Sequence, residues 1–195
     1  MTERWDDYIG TIADGLRDMS ATDGAGATLS AIEGFTRWVE MTRETHEGGG
    51  YVYIIGNGGS AGIASHIATD ACKHGHLRAL AFNDPAMLTA TANDLAYDQV
   101  FSLPLQRLGR PGDLVISISS SGNSPNIVRA LETARELGLA AVTLSGMRPD
   151  NRSRTLGQLN FHVSLARYGW VESAHQIAIH YWLDQYLSRH GGGAI

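Results

Sequence analysis

Apolar residues recur at helical spacing over residues 5–19 and again over roughly 28–46, as Ile9, Ile12, Leu16 and then Leu29, Ile32, Phe35, Trp38 and Val39. This spacing predicts two amphipathic helices. The polar, glycine-rich stretch Thr22 to Ala27 separates them as the turn of a helical hairpin. The pattern then changes to short, nearly continuous apolar runs. Tyr51 to Ile55, Leu77 to Phe82, Leu114 to Ile118, Ala140 to Leu144 and Phe161 to Leu165 read as five buried strands. Helical patterns alternate with them, from about Ser60 to His74, Pro125 to Leu137 and Glu172 to Ser188. Buried strands alternating with helices imply an α/β fold whose parallel sheet is covered on both faces. Two helices ahead of the first strand cannot easily hide their apolar faces on one sheet edge, so they predict a contact with a second subunit. Gly191 to Gly193 read as a frayed tail.

Composition narrows the setting. With 195 residues and 43% hydrophobic content, the chain suits one domain over residues 1–195, with helices for packing and oligomerisation over 1–48 and an α/β core over 49–190. A net charge of −5 argues against a nucleic-acid partner, whose backbone calls for a basic stripe. Cys72 is the only cysteine, which leaves no disulfide framework and no cysteine-based metal motif. The acidic opening residues and the absence of an apolar run of about 18 residues predict no leader and no membrane span, hence a cytoplasmic protein.

Two loops carry candidate chemistry. Gly56-Asn57-Gly58-Gly59-Ser60-Ala61 follows the first strand and opens a helix, and formally fits the dinucleotide-binding pattern. The acidic residue that should follow about 20 positions later is missing, since that region reads His74-Gly75-His76-Leu77-Arg78, so a dinucleotide ranks low. Ser119-Ser120-Ser121-Gly122-Asn123-Ser124 lies between a strand and a helix opened by Pro125. Its hydroxyls, backbone donors and helix dipole suit a phosphate, although a serine N-cap in an ordinary turn would look the same. Two such loops beyond the carboxyl ends of one parallel sheet favour an anionic ligand.

Further along, His66 and Asp70 are four apart and share a helix face. On the last helix Glu172 and His180 are about 80° apart around an ideal axis, whereas His175 is turned about 140° from His180. His66, Asp70, Glu172 and His180 make a donor set suited to zinc or another divalent ion. The same spacing also fits a solvated surface pair, or Asp70 pairing with Lys73.

The glycine loop, Asn93-Asp94 and the serine loop, in this order, resemble the sugar isomerase (SIS) fold, and within it the phosphoheptose isomerases. The similarity runs from about Tyr51 to Leu187. It implies a five-stranded parallel sheet, a homotetramer with sites near subunit interfaces, and a phosphosugar held by Ser119, Ser120, Ser121 and Ser124 with help from Ser60. It further implies one metal ion per subunit at His66, Asp70, Glu172 and His180, with Asp70 as base and His180 as acid in an aldose–ketose isomerisation. Asn57, Gly58, Gly59, Asn93, Asp94 and Glu172 are then expected to line the sugar. Three positions depart from the family: Asp70 replaces Glu, Glu172 replaces Gln, and Gly169 replaces Asp. The resemblance leaves three readings: sedoheptulose 7-phosphate isomerisation, isomerisation of another ketose phosphate, and a non-catalytic sugar-phosphate sensor. Trp170, just before Glu172, is a candidate wall of the site mouth, whereas Trp5, Trp38 and Trp182 read as core or subunit contacts.

Overall fold

The computed structural model describes residues 4–190, so the glycine tail lies outside the described residues. Helix α1 (Trp5–Arg17) opens with Asp6 and Asp7 and closes on Arg17, each charge complementing the helix dipole. The chain then forms a hairpin of β1 (Ser20–Asp23) and β2 (Thr28–Leu29) where the sequence predicts only a turn. Asp23 Oδ1 accepts from the Ala25 and Ala27 N–H groups, and Gly26 adopts φ +84°, which closes the turn. Helix α2 (Ala31–Glu47) begins with a capping box: Ser30 Oγ accepts from the Glu33 N–H at 3.2 Å, and Glu33 Oε2 accepts from the Ser30 N–H at 2.9 Å.

The remaining elements are β3 (Tyr51–Gly56), α3 (Gly59–Lys73), β4 (Arg78–Ala81), α4 (Pro85–Asp94), α5 (Ser102–Leu108), β5 (Leu114–Ser119), α6 (Pro125–Glu136), β6 (Ala140–Gly146), β7 (Leu159–Val163) and α7 (Tyr168–His190). The sheet order is β2-β1-β7-β6-β5-β3-β4. Five strands, β7, β6, β5, β3 and β4, are mutually parallel, as expected from the apolar runs. The β1–β2 hairpin adds two antiparallel strands at the β7 edge, pairing Ala21 with Phe161. The sheet is therefore mixed and has seven strands rather than five. The two extra strands were hidden from periodicity because they are short and polar, with Ala21 alone buried among them.

Successive side chains of each central strand enter opposite cores, which is why those strands read as continuous apolar runs. Val52, Ile54, Leu114, Ile116 and Ile118 pack with α2, α3 and α7, around Trp38 stacked on Trp182 at 4.8 Å. Tyr53, Ile55, Val115 and Ala141 pack with α5 and α6 on the other face. Trp38 and Trp182 are fully buried, whereas Trp5 is 72% exposed. Cys72 is exposed on α3.

The strand order fixes where a ligand can enter. From β3 the chain moves outward to β4, and from β5 it moves the other way through β6 to β7. β3 and β5 are thus neighbours whose following helices diverge, a switch point that leaves a crevice beyond their carboxyl ends. Both candidate loops leave the sheet there.

Candidate active site

A cavity of about 250 Å³ fills this crevice. The glycine loop contributes Asn57, Gly58, Gly59 and Ser60, and the serine loop contributes Ser119, Ser120, Ser121 and Ser124. Tyr168 and Glu172 from the start of α7 close the third side. Gly58 takes φ +55°, ψ −122° at the N-cap of α3, a conformation that favours glycine and leaves that helix end without a side-chain cap. Ser124 occupies the N-cap of α6, yet its side chain makes no capping bond. Ser120 Oγ is buried without a protein partner. Two helix N-termini and at least two uncommitted hydroxyls thus converge on one cavity, the arrangement an anionic oxygen group requires.

The two loops are tied together. Asn57 Nδ2 donates to Asn126 Oδ1 at 2.9 Å, and Asn126 Nδ2 donates back to Asn57 Oδ1 at 2.8 Å. Tyr97 also donates its hydroxyl to Asn57 Oδ1 at 3.3 Å. Asn126 is buried and accepts from the Ile127 N–H, so the pair locks the first turn of α6 against the glycine loop. On the other side, Gly122 at φ +63° lies against Asn151, and its carbonyl accepts from the Ser153 N–H at 3.0 Å. The Ser120 carbonyl accepts from the Gly146 N–H at 3.0 Å, joining the loop to the end of β6.

A second cluster lies two turns further along α3, against α7. His66 Nε2 is 3.3 Å from Asp70 Oδ2, and the His66 and His180 rings are 5.2 Å apart. One ligand atom from each of His66, Asp70 and His180 lies within 4.8 Å of the others. Two imidazoles and a carboxylate form a donor set that zinc accepts, so these residues fit a metal ion.

Not every expected residue joins these groups. The Glu172 carboxylate packs over Gly59, where a Cβ would stand 2.6 Å from Oε2, at the amino terminus of α3. It therefore lies in the cavity and outside the His66–Asp70–His180 group. Asn93 and Asp94 end α4, are exposed, hydrogen-bond to each other at 2.8 Å and are absent from the cavity lining. Trp170 packs edge-on against Tyr8 at 6.1 Å with Arg167 over its ring, and Tyr168 takes the place at the site mouth. Sequence reasoning did not single out Tyr168, Asn126 or Gln176. Gln176 lies beside His180, with 2.6 Å between its Nε2 and the His180 Nε2. Its position four residues before His180 was the available signal.

A family model described as SIS domain matches residues 26–146. The chain belongs to the SIS-domain family. The phosphoheptose isomerase of Chlorobaculum parvum is 46% identical over 114 residues, covering 54% of this SIS chain and 54% of that protein. The aligned stretch thus spans about half the relative's length. The phosphoheptose isomerase of Nitratidesulfovibrio vulgaris is 39% identical over 156 residues, covering 77% of this chain and 73% of the relative. Among solved structures, phosphoheptose isomerase from Neisseria gonorrhoeae superposes with a TM-score of 0.80 at 28% identity, covering 93% of this chain and 94% of that one. No helix among the described residues is long and apolar enough to cross a membrane.

Proposed function

We propose that this SIS domain is a metal-assisted aldose–ketose isomerase that converts sedoheptulose 7-phosphate to D-glycero-D-manno-heptose 7-phosphate. The observation that carries the reading is one α3–α7 seam that begins at an anion cradle and continues to a His–Asp–His cluster. His66 lies seven residues beyond Gly59, about 10 Å along the helix axis. That separation suits a ligand with its phosphate at one end of a seven-carbon chain and its carbonyl at the other. The relatives' names and the N. gonorrhoeae structure support the same substrate class.

In this reading Ser119, Ser120, Ser121, Ser124 and Ser60 hold the phosphate, whose binding energy positions the distant reacting carbons. Glu172, Asn57 and the backbone at Gly58 and Gly59 face the sugar hydroxyls. Asp70 takes the proton from the carbon beside the carbonyl, and His180 returns one to the neighbouring carbon, with an enediolate between. His66, Asp70 and His180 would hold a zinc-type divalent ion, which supplies polarisation of the substrate oxygens when bound. A sensor of the same fold needs the cradle alone, so the cluster favours catalysis. The exposed apolar side chains Trp5, Ile9, Ile32, Ile177 and Tyr181 support a homo-oligomer, with the tetramer as the proposed form.

The test is proton NMR of sedoheptulose 7-phosphate with the protein in D₂O, with added zinc and after chelation. An anomeric aldose signal that needs metal, with deuterium at the transferred position, is expected for the wild type and lost in Asp70→Asn and His180→Ala. Retained turnover in both variants refutes the roles given to these residues. Binding of the phosphosugar with neither product nor exchange would favour another ketose phosphate or a sensor.

A further inference from the structure

We infer that another cavity, at the end of the sheet away from the serine loop, binds a small phosphate-bearing anion through Arg78, Arg107 and Arg110. It has a volume of about 300 Å³ and lies where β3, β4 and β5 begin, so that Tyr51, Tyr53 and Asp113 line it beside the three arginines. β3 and β5 are six residues each, which puts about 20 Å between this cavity and the glycine and serine loops.

Arg78 is held in place before any ligand arrives. Its guanidinium lies 4.0 Å from the centre of the Tyr51 ring, donating from Nη1 to the Gly49 carbonyl at 2.7 Å and from Nη2 to the Tyr51 hydroxyl at 2.8 Å. These bonds fix the plane of the fork and leave further N–H donors unused. Arg110 starts the tight turn Arg110-Pro111-Gly112-Asp113, in which the Asp113 N–H donates to the Arg110 carbonyl at 3.0 Å and Gly112 adopts φ +97°. Asp113, the one acidic residue of the lining, is committed elsewhere: it is buried, and its carboxylate accepts from the Tyr51 N–H at 2.7 Å and the Arg110 N–H at 2.8 Å. Among the described residues no carboxylate lies within 4.0 Å of a guanidinium of Arg78, Arg107 or Arg110, whereas the exposed Arg129 and Arg152 pair with Asp98 and Glu132. Three guanidiniums against one carboxylate leave a surplus of two positive charges in a chain whose net charge is −5. Like charges around one cavity repel, and a bound dianion removes that cost. A planar guanidinium fork matches two phosphate oxygens at once, and a phosphate group carries close to two negative charges at neutral pH, so phosphate suits this wall.

The test is titration calorimetry of the full-length chain with inorganic pyrophosphate at fixed ionic strength. Wild type is expected to bind it, and Arg107→Gln combined with Arg110→Gln should weaken this binding at least about 10-fold. Melting should be unchanged in that variant, since neither side chain bonds to the rest of the described residues. Arg17→Gln combined with Arg189→Gln removes the same charge outside the lining and should stay within about twofold of wild type. An equivalent held by the serine loop is weakened by Ser124→Ala and kept in the cavity variant, which separates the two sites. Citrate, of similar charge but built from carboxylates, should bind at least about 10-fold more weakly than pyrophosphate. A parallel titration with a hexose phosphate tells an ester from free phosphate as the preferred occupant, and either ranking upholds the site. A wild type that binds no pyrophosphate beyond what the serine loop takes, a cavity variant that binds as wild type does, or an equal loss in the control variant overturns the site. Equal affinity for citrate overturns its assignment to phosphate.

Discussion

Replacing Gly122 with alanine tests how firmly the serine loop is held. Gly122 adopts φ +63°, where an L side chain costs about 1 kcal/mol. The new Cβ would collide with Asn151 Oδ1 and stand 2.7 Å from Ser153 Oγ. Asn151 cannot easily retreat. It is buried, donates from Nδ2 to the Arg148 carbonyl at 2.8 Å and to Ser145 Oγ at 3.2 Å, and accepts from Ser153 Oγ at 2.9 Å. Overpacking of this kind adds about 2 kcal/mol, giving about 3 kcal/mol in total. Gly138 is a matched control: its φ is +71°, yet nothing lies within 4 Å of its would-be Cβ, so Gly138→Ala should cost only about 1 kcal/mol. With a urea dependence of about 2 kcal/mol/M, the unfolding midpoint of Gly122→Ala should fall about 1 M below that of Gly138→Ala at equal protein concentration. Gly122→Ala should also weaken phosphosugar binding, while Gly138→Ala should not. Equal midpoints for the two variants would refute the claim that Asn151 buttresses the loop.

Ser124→Ala should leave stability within about 0.5 kcal/mol, because the hydroxyl makes no capping bond, yet raise KM for the phosphosugar. A stability loss of about 1 kcal/mol with unchanged KM would mean that Ser124 caps α6 and does not meet ligand. The Asn57–Asn126 pair predicts a coupling energy of about 1–2 kcal/mol in a double-mutant cycle to alanine, and additive losses would contradict the reciprocal bonds. His175 is buried and its pKa is lowered to about 4, first by desolvation and then by the nearby His162, against the bond to the Ser145 carbonyl. The native state thus keeps the ring neutral while the unfolded chain protonates near 6.5, so this contribution is complete above pH 6.5 and is lost as pH falls towards 4. Urea unfolding at pH 7.5 and pH 5 should show about 2 kcal/mol more loss in wild type than in His175→Gln, and equal losses would exclude His175 as the cause.

The parallel sheet was legible because strands buried on both faces must be apolar at every position, and β3, β5 and β6 leave few polar residues to confuse the pattern. The β1–β2 hairpin was not, since an edge hairpin needs only one buried side chain and its Asp23–Gly26 turn looks the same between helices as between strands. The two ligand loops were legible from composition and position. The residues that brace them were not. Asn57 and Asn126 are 69 positions apart, and no local spacing announces a bond of that range.

The separation of Glu172 from the His66–Asp70–His180 cluster has a geometric origin. An angle around a helix axis describes which face a residue occupies, and by that measure Glu172 at about 80° from His180 is a reasonable companion. The angle says nothing about rise. Over eight residues the rise separates the two α-carbons by about 12 Å, so convergence requires both side chains to lean towards each other along the axis. Glu172 has a competing attraction at the start of α3, and there its carboxylate lies. Gln176 shares nearly the same face at half the distance, and its amide is already against the His180 ring. The carboxylate at position 172, which lines the cavity of the two loops, should therefore affect the sugar. Kinetics of Glu172→Ala decide the point: a raised KM with unchanged zinc affinity is expected, and a loss of zinc would place Glu172 at the metal after all.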